Sequence, residues 1–120
     1  MTTVVDRLVW TDICAYGDLL PERGVCALVR GEQVAVFRLH DGTLHAVGNY
    51  DPAGGAYVLS RGIVGTRGNT PTVASPLYKH VYDLTTGQCL DDGAYAVPVV
   101  PVRVTAGRVE LGTLRSAMSE

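Results

Sequence analysis

The sequence predicts an all-β fold, and three observations carry that expectation. Short runs rich in Val recur along the chain, Gly, Pro and Asp-Gly signals cut them at close intervals, and only two brief stretches offer even one helical turn. With 47% hydrophobic and 18% charged residues, the chain is too apolar for disorder and has enough side chains for a packed core. Its 120 residues fit one domain, expected over 1–120 with a core over about 8–114.

The first helical turn is expected at Tyr16-Gly17-Asp18-Leu19-Leu20, where Pro21 stops it. Gly24 to Arg30 and Gln33 to Leu39 read as a hairpin whose turn uses Gly31 at a positive φ. Asp41-Gly42 then marks a second tight turn into Thr43 to Val47, with both of its residues expected at positive φ, so 24–47 becomes a three-stranded meander. Residues 48–75 are rich in Gly and Thr and show little period, so they are expected to be irregular, with the second helical turn at Ala53 to Ser60. Val99 to Val104 and Arg108 to Leu111 form a closing hairpin around Ala106-Gly107, with Val102, Val104, Val109 and Leu111 on one face. Pro98 and Pro101 place the first of these strands at an edge or give it an irregular start.

Charge and cysteine usage narrow the function classes. A formal charge of -2 lacks the basic footprint of nucleic-acid binding. The sequence shows neither a basic-then-apolar leader nor a run of about 18 apolar residues, so a cytoplasmic protein without a membrane partner is expected. Cys14, Cys26 and Cys89 are widely spaced within apolar runs and read as buried, reduced thiols. There is no Gly-x-Ser-x-Gly elbow, P-loop or dinucleotide fingerprint. His40 and His45 flank a turn, and Asp91-Asp92-Gly93 reads as a solvated turn, so no catalytic or metal-binding residue is expected.

One stretch does carry a pattern. Ser75-Pro76-Leu77-Tyr78-Lys79-His80-Val81-Tyr82-Asp83-Leu84-Thr85-Thr86-Gly87 resembles the second cluster-binding loop of Rieske proteins, where a Cys-Pro-x-His box precedes an aromatic-Asp pair and a Thr-Gly turn. Asn49-Tyr50-Asp51-Pro52 stands where that family writes its first box, Cys-x-His. The four ligand positions are thus Asn49, Asp51, Ser75 and Tyr78, whereas a Rieske centre needs two thiolates and two imidazoles. A Rieske frame without ligands is similar to the small subunits of assimilatory NAD(P)H-dependent nitrite reductases. Trp10-Thr11-Asp12-Ile13-Cys14, Leu19-Leu20-Pro21-Glu22-Arg23-Gly24, Gly31 to Arg38 and Pro98 to Val104 also resemble that branch.

The resemblance implies a Rieske-like fold of small antiparallel sheets, a sandwich or incomplete barrel, whose two loops form a tip without a cluster. It implies no cofactor in this chain. Flavin, an iron-sulfur cluster and sirohaem are expected in a large catalytic subunit that reduces nitrite to ammonium. Asn, Asp, Ser and Tyr at the four positions can hydrogen-bond one another and the loop amides, although plain Asx turn chemistry before Pro52 is the simpler account of Asn49 and Asp51. Tyr50, Tyr57, Leu77, Tyr78, Lys79 and His80 have the composition of an interface centre and are the expected partner-binding residues, though tyrosines also simply pack loops. Two other classes stand beside this reading: a Rieske electron-transfer ferredoxin, and a β-barrel binding module for an unrelated ligand.

Overall fold

The computed structural model describes residues 7–77 and 79–115. Among the described residues, eleven strands form four antiparallel sheets. Strand β1 (Arg7–Ala15) leads through a 3-10 turn at Tyr16–Asp18 to β2 (Gly24–Val29), β3 (Glu32–Arg38) and β4 (Leu44–Gly48). Two-residue strands β5 (Tyr50–Asp51) and β6 (Ala56–Tyr57) pair with each other, and a 3-10 turn at Leu59–Arg61 follows. Then come β7 (Ile63–Arg67), β8 (Thr70–Ala74) and β9 (Val81–Asp83), and the chain closes with β10 (Val102–Thr105) and β11 (Arg108–Arg115). The larger sheets have the orders β2-β3-β4, β7-β8-β9 and β1-β11-β10.

Strand β3 explains how the layers stack. Its run Val34-Ala35-Val36-Phe37 is apolar at every position because both of its faces are covered. Ala35 and Phe37 pack with Val47, Leu59, Val73, Tyr82 and Leu84 on one side. Val34 and Val36 pack with Ala46, Val109 and Leu111 on the other. The β2-β3-β4 sheet is therefore the middle of a sandwich, with the loop-bearing β7-β8-β9 sheet on one face and the β1-β11-β10 sheet on the other.

The meander and closing hairpin form as the sequence leads one to expect. Arg30 (φ 52°) and Gly31 (φ 82°) make one tight turn, and Ala106 (φ 52°) and Gly107 (φ 78°) another. Val102 faces Leu111 and Val104 faces Val109 across the second hairpin. The Asp41-Gly42 turn differs: only Gly42 has a positive φ, at 90°. There the Asp41 carboxylate accepts from the Thr43 backbone N–H at 3.0 Å and its hydroxyl at 2.7 Å, which stabilises a wider loop spanning 39–43.

Residues 48–75 are less irregular than expected, since they contain β5 to β8. Ala53 to Ser60 is helical only at its end, where Leu59 and Ser60 enter the 3-10 turn. The Asp51 carboxylate takes the Ala53 N–H, Gly55 turns the chain at φ 76°, and Ala56–Tyr57 comes back beside Tyr50–Asp51 as β6. Of the three thiols, Cys89 is buried as expected, Cys14 is half-buried and Cys26 is exposed. Position and alternation together explain Cys26: β2 is the edge strand of its sheet, and where Val29 is buried, Cys26 and Leu28 stand on the opposite side of the strand and remain exposed. Among the described residues no helix is long and apolar enough to cross a membrane.

Candidate functional site: two loops joined by a buried carboxylate

The first loop leaves β4 at Asn49, which is buried. Its side-chain Oδ1 accepts from the Ser60 N–H at 2.7 Å, and its Nδ2 donates to Gln33 Oε1 at 3.0 Å. The backbone adds two bonds, Asn49 N–H to the Gln33 carbonyl at 3.0 Å and Leu59 N–H to the Asn49 carbonyl at 3.1 Å. Asn49 thus ties the start of β3 to the Leu59–Arg61 turn.

Two residues on, Asp51 is fully buried and accepts from three directions. Ser75 Oγ donates to Oδ2 at 2.5 Å, the Tyr82 hydroxyl donates to Oδ1 at 2.6 Å, and the Ala53 N–H donates to Oδ1 at 3.0 Å. Burial pushes this carboxyl pKa upward, but the Ser75 and Tyr82 hydroxyls and the Gly54 and Ala53 amides together outweigh it and hold the group below its ordinary value. Asp51 is therefore a buried anion satisfied by both loops and by β9. Tyr82 is pushed the other way, first by burial and then by its bond to the Asp51 anion, so its hydroxyl stays protonated as a donor.

Ser75 closes the second loop. Its Oγ accepts from the Leu77 N–H at 3.1 Å while donating to Asp51, and its own N–H bonds the His80 carbonyl at 2.8 Å. The loops also touch through Gly54, where an added Cβ would lie 2.7 Å from Asp51 Oδ2 and 3.2 Å from the Leu77 Cβ. Glycine is required there by space.

Not all the expected residues meet. Asp51 and Ser75 bond directly, whereas among the described residues the Asn49 side chain bonds Gln33, Ser60 and Cys26. Tyr78 lies outside the described residues. Tyr50 and Tyr57 are cross-strand partners with ring centroids 5.0 Å apart, and both are exposed. Leu77 is half-buried against Gly54, and Lys79 is exposed at φ 59°. His80 sets its ring edge-on to Tyr95, at a centroid distance of 6.0 Å. The sequence reading missed two members of the network, Gln33 and Tyr82. Tyr82 had a signal, since it is the aromatic residue of the aromatic-Asp pair.

This chemistry does not fit a 2Fe-2S cluster. Asn49, Asp51 and Ser75 offer amide and oxygen donors where thiolate and imidazole are needed, and each is already engaged in hydrogen bonds. The Ser75–Asp51 bond closes the gap between the loops directly. Nor is this an acid-base pair, because the Asp51 oxygens are buried and satisfied within the fold.

Comparison with known proteins places this frame. The family profile described as "Rieske-like [2Fe-2S] domain" matches residues 9–112. The nitrite reductase (NADH) small subunit of Escherichia coli K12 is 44% identical over 103 residues, covering 85% of this chain and 95% of that one. This chain belongs to the Rieske-like family of nitrite reductase small subunits. A crystal structure from Mycobacterium tuberculosis, attributed to an NADH-dependent nitrite reductase small subunit, is 53% identical and superposes with a TM-score of 0.88, covering 92% of this chain and 99% of the other. The family also appears inside a longer protein. The nitrite reductase [NAD(P)H] large subunit of Klebsiella oxytoca contains a region 39% identical to this chain, covering 86% of the chain and 11% of that large subunit.

Proposed function

We propose that this chain is the small subunit of an NAD(P)H-dependent nitrite reductase and that it acts by binding its large subunit, without carrying electrons itself. Similarity over nearly the whole length of the E. coli small subunit is the observation that carries this reading. The Klebsiella oxytoca protein adds to it, because one polypeptide there holds a large subunit and a domain of this family. Flavin, the iron-sulfur cluster and sirohaem are assigned to the large subunit, where nitrite becomes ammonium. The enzyme works in the cytoplasm, beside its nicotinamide.

In this reading the Asp51 network replaces a metal cross-link with a hydrogen-bonded one and keeps the tip ordered for docking. The tip, with Tyr50, Tyr57, Leu77, Tyr78, Lys79 and His80, supplies part of the contact. A contribution of this kind is a binding free energy that favours one arrangement of the large subunit. Affinity purification of the tagged chain from nitrate-grown cells tests the proposal. A sirohaem protein of large-subunit size should copurify, and its absence under conditions where nitrite reductase is active would overturn the reading.

A further inference from the structure

The exposed apolar side chains of the chain are not scattered. Of the nine large ones exposed among the described residues, Leu8, Leu28, Tyr50, Tyr57 and Val99 line two adjoining depressions. Leu28, Tyr50 and Tyr57 lie in the first, and Leu8 and Val99 in the second. The two share Gly48, Pro98, Glu32 and Gln33 in their walls, so they form one band that starts at the β5-β6 tyrosines and ends at Leu8 on β1. Exposed apolar side chains gathered in this way, with Arg30, Glu32 and Gln33 as polar neighbours, have the composition of an interaction site, and paired tyrosines are favoured anchors within one.

The position of the chain ends indicates what covers the band. Strand β1 pairs antiparallel with β11, Leu8 opposite Leu114, so the first and last strands of the domain end side by side. In the Klebsiella oxytoca large subunit a domain of this family is continuous with the rest of that polypeptide. Whichever end makes that connection, it leaves from the β1/β11 edge, where the band ends at Leu8 and Thr113. The body of a large subunit tethered there meets this band at Leu8, beside the point of connection.

We infer that the nitrite reductase large subunit docks along the band Leu8–Val99–Pro98–Leu28–Tyr50–Tyr57, extending the contact from the tip down the face of the molecule. This inference rests on the proposed function and narrows it to a surface. Leu28 is the decisive residue, because it is 71% exposed, belongs to strand β2 and not to either tip loop, and has no core role to lose. Ile63 is the control, being 75% exposed and outside both depressions.

The test measures the affinity of the full chain for the large subunit of the same organism by calorimetry, for wild type, Leu28→Asp, Tyr57→Ala and Ile63→Asp. Thermal melts check that each variant is folded. Wild type should bind, Leu28→Asp and Tyr57→Ala should each weaken binding by about thirtyfold or more, and Ile63→Asp should not. Wild-type binding with Leu28→Asp and Tyr57→Ala unchanged overturns the band while leaving the proposed function intact, as does an equal loss in Ile63→Asp. Failure of wild type to bind overturns both.

Discussion

Replacing Tyr82 by Phe removes one oxygen and leaves the ring in place, so it isolates one arm of the Asp51 network. The lost bond is 2.6 Å long, fully buried and made to a carboxylate. Hydrogen bonds to charged groups contribute about 1.5–3 kcal/mol, and the middle of that range, about 2 kcal/mol, is a large part of the roughly 5–15 kcal/mol that a domain possesses. With unfolding entropy near 2.1 cal/mol/K per residue, this corresponds to a drop of about 8 °C in melting temperature. The pH dependence supplies the second half of the test. The folded pKa of Asp51 lies below its ordinary value of 3.8, so its contribution is present above that value and disappears as pH falls through the folded pKa. Tyr82→Phe removes a donor that stabilises the anion, which raises the folded pKa and moves the loss to higher pH. Urea unfolding at pH 7 and at points below pH 4 measures both effects, with the gap between wild type and variant narrowing in acid. A variant within about 0.5 kcal/mol of wild type at pH 7, or a gap that does not change with pH, would refute the charged-hub argument.

Other expected outcomes follow from the same geometry. Gly54→Ala places a Cβ 2.7 Å from Asp51 Oδ2 and should destabilise by about 1–3 kcal/mol, read as a lower urea midpoint at constant m-value. Anaerobic reconstitution of the isolated chain with iron and sulfide should leave it without a Rieske-type visible or EPR spectrum; a stoichiometric spectrum would mean that the loops are misread. Arg108→Ala breaks an exposed pair with Asp12, 2.7 Å long and outside the band, and should leave large-subunit affinity unchanged by calorimetry.

Local signals made part of the fold legible and left the rest hidden. Gly31, and Ala106-Gly107 in its hairpin, are turn chemistry written in adjacent residues, and the strands they join were readable for that reason. Strand β1 pairs with β11 across almost the whole chain, and no turn signal links them, so it could be read only through resemblance. Strands β5 and β6 are two residues each, too short for a period to show. In the site, the loop positions were legible because they sit in recognisable boxes, but the partners were not. Gln33 is 16 residues from Asn49, and Tyr82 is 31 residues from Asp51, so only the folded chain brings them together. Asn49 does bond a loop amide, the Ser60 N–H, but its amide nitrogen goes to Gln33 and not to Asp51 or Ser75, a pairing that no local signal marks. Cys26 was misread because Val25 to Val29 is apolar at every position, so only the fold shows which alternate residues of this edge strand stay exposed.

The central claim, a subunit that acts by binding and not by carrying electrons, is tested most directly by titrating the purified, iron-free chain into the large subunit. NAD(P)H-dependent nitrite reduction is followed at each point of that titration. The account predicts that the rate changes in step with complex formation and saturates when binding does, with iron and sulfide remaining in the large subunit throughout. Rates that respond only after the small chain has been loaded with iron and sulfide, or that ignore a saturating amount of folded small chain, would contradict it.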